Sequence, residues 1–438
     1  MNYVAAIDLG TTKIVTLVAE KSGDSCRIIA YKESPSKGVM RGEVINIKNV
    51  VDIINDHINQ IKVENHIKIT RVYVGIAGQN IKCTSARLNR HRSSANLIEL
   101  SEIRSMILEM NNSRVNEGEK ILHVIPQSYN VDNFMGIYEP EGMNGTKIEG
   151  DYKLFIGKKN SIDNTKMAIE RAGLELKEVI LEPIASACSI LSEDEKEIGV
   201  AMVDIGGGTT DVIIFQDNII RHVAVIPFGG NSVTEDLRQG CGISYKNAEK
   251  IKLDFGHCHS AYAPENKNII IPSINGSQSK ELSLKFISKI IEARMEEILE
   301  AVLYEIERSG YIDKISAGIV FTGGGSLIMN LKQLSESITG LSTRIAYPDK
   351  NISFDTPKEI CKPATATAIG LAMYAMDSIN SQDNNVKNVD ADIFSNNDLE
   401  TESPEPVTVK KAPKDKTNIN SIFNKFITKI LDGNDNRV

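Results

Sequence analysis

Asp8-Leu9-Gly10-Thr11-Thr12-Lys13 follows one apolar run near the start of the chain, and Asp204-Ile205-Gly206-Gly207-Gly208-Thr209-Thr210-Asp211 follows another in its middle. Val4 to Ile7 and Ile14 to Ala19 read as two strands joined by the first turn, and Gly199 to Gln216 reads as a second strand–turn–strand unit. Glycines let backbone N–H groups approach a phosphate, and consecutive N–H groups form an anion-binding nest. Threonine hydroxyls add donors, and Lys13 adds positive charge. Asp8 and Asp204 close the preceding strands, where they suit a Mg²⁺ ion held through water. One such turn is no more than a glycine hairpin. Two matching turns in one chain imply two related halves gripping one ligand. Neither turn fits the Walker A or the Rossmann glycine pattern.

Around these turns the chain reads as α/β. Val50 to Ile61 has helical spacing, Val72 to Ile76 reads as a buried strand, and a polar helix is expected over Ser101 to Arg114. Thr165 to Ala172 reads as a helix before the strand Val179 to Leu181, and Leu282 to Glu307 as a long amphipathic helix. Ile319 to Phe321 is a strand that runs into Thr322-Gly323-Gly324-Gly325, and Pro363 to Ala375 is an Ala- and Thr-rich helix.

At 438 residues, with 41% apolar and 25% charged residues, the chain is long enough for two domains of ordinary globular composition. A net charge of -8 argues against nucleic acid as a partner. The six cysteines form no CxxC pair, so neither a zinc ribbon nor a disulfide scaffold is indicated. The adjacent residues His257-Cys258-His259 lack the spacing to converge on one metal ion. The first residues have no basic n-region before an apolar stretch, and no run is long enough to span a bilayer, so the chain is expected in the cytoplasm.

The two turns resemble the phosphate motifs of the actin, sugar-kinase and heat-shock-chaperone superfamily. Three further stretches resemble its other motifs in order. Leu181-Glu182-Pro183-Ile184-Ala185-Ser186-Ala187 is similar to the first connecting motif, Gly318 to Ser326 to the adenosine motif, and Pro363 to Gly370 to the second connecting motif. The resemblance implies an actin-like, ribonuclease H-like fold of two α/β domains closing on ATP and Mg²⁺. It implies that Gly10, Thr11, Thr12 and Lys13 face Gly206, Gly207, Gly208, Thr209 and Thr210 across the phosphates. It places Gly323, Gly324 and Gly325 against adenine, Glu249 and Lys252 on the ribose, and Glu182 near an attacking water. The residue-level alternatives are an ordinary i,i+3 ion pair for Glu249 and Lys252, and a structural glutamate before Pro183 for Glu182.

Lys37 to Ile47 and Val72 to Ile81 resemble the FtsA family of bacterial cell-division proteins. That resemblance implies domain 1A over 1–81 and 161–197, an inserted subdomain 1C over 82–160, domain 2A over 198–226 and 308–376, and subdomain 2B over 227–307. It also implies actin-like filaments, binding of the FtsZ C-terminal tail, contact with other division proteins, and at most a slow ATPase activity. Residues 377–416 are dominated by Asn, Asp, Ser, Glu, Pro and Lys and are expected to be a disordered linker. Beyond it, Ile419, Ile422, Phe423, Phe426, Ile427, Ile430 and Leu431 form one apolar stripe of an amphipathic helix over 417–432. This helix suits the membrane interface or a protein partner. FtsA-like proteins end in such a helix, which implies a peripheral site on the cytoplasmic side of the inner membrane, at the division site. The alternatives are a type IV pilus assembly ATPase-like scaffold, a chaperone-type ATPase and a small-molecule kinase of the same superfamily.

Overall fold

The computed structural model describes residues 3–23, 25–271 and 279–385, with the backbone path alone for 380–385. The chain opens with strands β1 (Tyr3–Leu9), β2 (Lys13–Ser22) and β3 (Ser25–Pro35), followed by a ribbon of β4 (Val39–Met40) and β5 (Glu43–Val44). Helix α1 (Ile47–Asn65) starts at Asn46, whose side chain accepts from the Asn49 N–H and so caps an otherwise orphaned donor. It buries Val50, Ile54, His57 and Ile61 and returns the chain to β6 (Arg71–Ile76).

An insertion follows: β7 (Lys82–Leu97), α2 (Leu100–Asn111), β8 (Glu119–Val131), β9 (Phe134–Ile137) and β10 (Asn144–Lys158). Its four-stranded sheet, in the order β7-β10-β8-β9, has its own core around Met106, Met110, Tyr129 and Tyr152. Helix α3 (Lys159–Arg171) and β11 (Glu175–Leu181) then complete the first sheet, β11-β6-β1-β2-β3.

Helices α4 (Glu182–Ile190) and α5 (Glu193–Ile198) lead to β12 (Val200–Ile205), β13 (Thr210–Gln216) and β14 (Ile219–Ile226). There follow α6 (Gly230–Cys241), α7 (Tyr245–Phe255), a ribbon of β15 (Asn268–Ile271) and β16 (Lys280–Ser283), and the long α8 (Leu284–Ser309). The described chain ends with β17 (Ile319–Thr322), α9 (Leu331–Thr339), β18 (Thr343–Ile345) and α10 (Ala366–Asn385). The second sheet runs β14-β13-β12-β17-β18.

The two five-stranded sheets share one plan. In each, a three-stranded antiparallel meander adds two parallel strands beside its first member. The echo between the two glycine turns therefore extends to strand order. Apolar residues of both sheets, α4 and α10 form one continuous core, with Leu17, Leu181, Ala185, Met202 and Leu371 all fully buried.

Several boundaries differ from the sequence reading: α3 starts at Lys159 rather than Thr165, and β11 at Glu175 rather than Val179. Leu282 lies in β16, and α8 starts two residues later. Helix α10 continues to Asn385, past the expected start of the linker at 377. Polar residues suffice there because lengthening a formed helix adds one hydrogen bond per residue fixed, while only nucleation is costly. The remainder of the linker and the amphipathic stripe from Ile419 to Leu431 lie outside the described residues.

Candidate functional site

The two Asp–Gly hairpins face each other across a cavity of about 500 Å³, within the ordinary range of small-ligand sites. Residues 10–12 turn the chain between β1 and β2, which pair from Leu9 with Ile14 onward. The second hairpin is closed by the Gly206 N–H donating to the Thr209 carbonyl at 2.9 Å. The first turn of α6 is stapled beneath it: the Gly230 and Asn231 N–H groups donate to the carbonyls of Gly206 and Gly207 at 2.9 and 2.8 Å.

The hairpins touch at their tips. A β-carbon built on Gly208 would stand 2.7 Å from Thr11 Oγ1, and one on Gly207 would overlap Thr12 Oγ1. Only glycine leaves room for this approach. Thr11 is also held from behind, where its Oγ1 accepts from the Gly42 N–H at 3.1 Å.

Four carboxyl groups line the floor. Asp8 and Asp204 are the next-to-last residues of β1 and β12, Asp211 is the second residue of β13, and Glu182 begins α4. Burial pushes the Asp8 carboxyl up to about 7, with Lys13 pulling it down and Asp204 pushing it further up. Burial, with the neighbouring carboxylates, raises Glu182 and Asp211 well above the usual range. Asp204 is raised by burial, against hydrogen bonds from Ser186 and Thr367. Ser186 Oγ of α4 donates to Asp204 Oδ2 at 2.8 Å, and Thr367 Oγ1 of α10 does so at 3.3 Å. Glu182 Oε1 and Asp211 Oδ1 are buried without a hydrogen-bond partner. Among the described residues no three His, Cys, Asp or Glu side chains converge closely enough to ligate one metal ion directly.

Lys13 lines the cavity, but its Nζ pairs with Glu33 Oε2 of β3 at 2.8 Å. Glu249 and Lys252 share one face of α7 and pair at 2.8 Å. Lys252 is buried, so this is not a solvated surface pair. Its Nζ also donates to the Gly230 carbonyl at 3.0 Å and to Thr234 Oγ1 at 2.8 Å, and Thr234 in turn bonds Glu249. Burial pulls the ammonium pKa down.

Gly323 takes a left-handed φ of 83° beside Asp204, and Gly324 opens toward Ala364. Leu253, Leu327, Ile328 and Met329 add an apolar wall at this end of the cavity. Of the residues expected at the phosphates, Thr210 alone does not reach the cavity. Side chains alternate along a strand, so Thr209 and Asp211 face the cleft while Thr210 points away. Its Oγ1 donates to the Phe228 carbonyl at 2.9 Å.

Asp211, Asn231, Ser186, Thr234 and Thr367 were not singled out by the sequence reading. Asp211 stood beside the second turn, and strand alternation from Thr209 would have found it. Ser186 and Thr367 lie inside the two connecting motifs, where they were given no role, and Asn231 and Thr234 come from α6. At His257-Cys258-His259 the three side chains diverge: His257 bonds Asn330, Cys258 is buried against the Met329 carbonyl, and His259 pairs with Glu292.

The chain is 34% identical to the cell division protein FtsA of Pseudomonas aeruginosa over 378 residues, which covers 85% of this chain and 89% of that protein. The chain belongs to the FtsA family. FtsA of Neisseria meningitidis is 32% identical, covering 84% of this chain and 89% of that one. FtsA of Escherichia coli K12 is 31% identical, covering 86% and 90%. The family description "Cell division protein FtsA" matches residues 201–370, and "SHS2 domain inserted in FTSA" matches 78–156, which takes in nearly all of the four-stranded insertion. A further description, "Hsp70 protein", matches 160–219, the stretch carrying Glu182 and the second hairpin.

Among solved structures, the FtsA-family chain resembles one from a PilM–PilN type IV pilus biogenesis complex, with a TM-score of 0.63 at 14% identity, covering 85% of this chain and 98% of that one. It also resembles MreB5 of Spiroplasma citri bound to ADP, with a TM-score of 0.53 at 16% identity, covering 88% and 99%. These likenesses establish the actin-like fold. The cell-division role comes from the FtsA relatives, and the pilus, chaperone and kinase readings are not favoured. No helix among the described residues is long and apolar enough to cross a membrane.

Proposed function

We propose that the cleft binds ATP with Mg²⁺, and that the chain is a nucleotide-dependent scaffold fixing the FtsZ ring to the cytoplasmic face of the inner membrane. The observation that carries the nucleotide reading is the pair of Asp–Gly hairpins facing each other across one cavity. In this reading Gly10, Thr11, Thr12 and Lys13 take one side of the β- and γ-phosphates, and Gly206, Gly207, Gly208 and Thr209 take the other. Glu249 and Lys252 hold the ribose, with Lys252 pre-set by its bonds to Gly230 and Thr234. Gly323, Gly324 and Gly325 let the base lie against backbone, with Leu327, Ile328 and Met329 covering it.

The donor set fits a hydrated magnesium ion. Buried carboxyl oxygens of Glu182 and Asp211 lack partners, and four acidic groups share a pocket that Lys13 and Lys252 also line. Mg²⁺ keeps most of its water shell, so Asp8 and Asp204 need not touch it. When bound it supplies positive charge that neutralises phosphate oxygens. Ser186 and Thr367 orient Asp204, and Glu182 offers a free oxygen to hold and align a water. Turnover is slow in this reading, because a filament protein needs two nucleotide states more than it needs rate.

Filament formation, binding of the FtsZ tail through the region 227–307, and membrane attachment through the stripe Ile419 to Leu431 rest on membership of the FtsA family and on the tail sequence. Titration calorimetry with ATP, with and without Mg²⁺, tests the cleft. Magnesium-dependent binding supports it, and absence of any heat of binding overturns it. Capture of the full chain on an immobilised FtsZ C-terminal peptide tests the scaffold role, and failure of capture removes it.

A further inference from the structure

The insertion is not a passive ornament on the first half. Its strand β8 bonds to both five-stranded sheets through side chains four positions apart. His123 Nε2 accepts the N–H of Leu181 at 3.2 Å. Gln127 Nε2 donates to the Ile220 carbonyl of β14 at 3.0 Å, and its Oε1 accepts from Arg221 at 3.3 Å. Both contacts sit at irregularities in the β8–β10 ladder. Leu122 and Gln127 have no partner in β10, so the strand bulges on either side of the segment that starts at His123. Bulges re-aim side chains, which is how one strand serves two neighbours.

The His123 contact lands at a decisive point. Leu181 is the last residue of β11, an edge strand of the first sheet, and the N-cap residue of α4. No side chain caps that helix, and its first residue is Glu182. An edge-strand N–H with no strand beside it needs another acceptor, and the imidazole supplies it. Burial pulls the ring's pKa down to about 4, so at neutral pH Nε2 carries a lone pair and Nδ1 the proton. One residue on, the Glu182 side chain passes Gly75 of β6 so closely that a β-carbon there would lie 3.0 Å from Glu182 Cγ. Glu182 is thus held between the bare backbone of β6 and a helix start fixed by the insertion.

We propose that His123 is a positioning residue for Glu182: by accepting the Leu181 N–H it sets where α4 begins, and so where the Glu182 carboxyl stands over the cleft. This rests on the nucleotide reading of the cleft. It makes the insertion part of the hydrolytic apparatus without touching the ligand.

The test uses the full-length chain and measures ATP affinity by calorimetry and single-turnover hydrolysis of ATP with Mg²⁺. His123→Leu removes the acceptor, and His123→Gln places an amide oxygen near the position of Nε2. His123→Asn stops near Nδ1 and serves where the leucine variant does not fold. The expected result is unchanged ATP affinity in every variant, hydrolysis slowed about tenfold or more in the leucine and asparagine variants, and a near-normal rate in the glutamine variant. Equal rates in all variants would overturn the proposal, as would equal slowing of all three. If the wild-type chain binds ATP but never hydrolyses it, the proposal fails and the nucleotide site stands. If the wild-type chain does not bind ATP, the nucleotide reading itself fails and takes the proposal with it.

Discussion

Thr12 Oγ1 occupies the space that a side chain on Gly207 would need. The two residues lie in hairpins of different sheets, so this contact is one of the places where the related halves of the molecule meet. A valine at 207 must push Thr12 aside or part the hairpins. Overpacking of this kind costs about 1–3 kcal/mol. Gly207→Val is therefore expected to weaken ATP binding about tenfold or more in titration calorimetry. Equal affinity would remove the assignment of this turn to the phosphates.

The Asp8 carboxyl sets a pH dependence with a definite sign. Its folded pKa, about 7, lies above the ordinary aspartate value. The folded chain therefore holds a proton that the unfolded chain has released, and the associated stability is present below about pH 4 and lost as pH rises through about 7. Asp8→Asn cannot ionise. It is expected to melt about 2–4 °C above the wild type at pH 8 without nucleotide, with the gap closing toward pH 5. A constant gap across that range would contradict the burial argument.

Lys252 makes three bonds from a buried position, to Gly230, Thr234 and Glu249. Lys252→Met keeps much of the stem volume and removes the charge, leaving the Gly230 carbonyl and the Glu249 carboxylate short of a donor. The expected loss is about 2 kcal/mol of stability by denaturant titration, because breaking a buried pair strands its partner. ATP affinity is expected to fall about tenfold through the displaced Glu249. A variant with unaltered stability and affinity would remove Glu249 and Lys252 from the ribose assignment.

Deletion of residues 419–438 removes the apolar stripe Ile419 to Leu431. The truncated chain is expected to stay in the supernatant when spun with vesicles containing anionic lipid, while the full chain sediments with them. The described body is expected to melt at an unchanged temperature. Sedimentation of both forms would move the membrane contact elsewhere in the chain.

Much of the architecture was legible in the sequence because it is written locally. Glycine turns between apolar runs marked both hairpins, and the repeat between them extends to the strand order of two whole sheets. Helical periodicity located α1 and α8 to within a few residues. What local pattern could not supply was the other end of each long-range bond. Nothing near Lys13 announces that its ammonium rests on Glu33, because that pairing needs β2 beside β3. Ser186 and Thr367 meet on Asp204 only after α4 and α10 have packed together. Thr210 was assigned to the phosphates through its place beside Thr209, and strand alternation turned it the other way.

The cluster of Asp8, Glu182, Asp204 and Asp211 gives the cleft a chemical exchange with its surroundings. Burial lifts all four carboxyls above the ordinary carboxylate range, Asp8 to about 7. On the proposal that the cleft takes a hydrated magnesium ion, its positive charge favours the ionised carboxylates and releases protons held there into the buffer. Loading the cleft is then an acid-producing event, and acidification of the surroundings works against it. On that proposal the occupancy of the cleft is tied to ambient proton activity as well as to the supply of ligand.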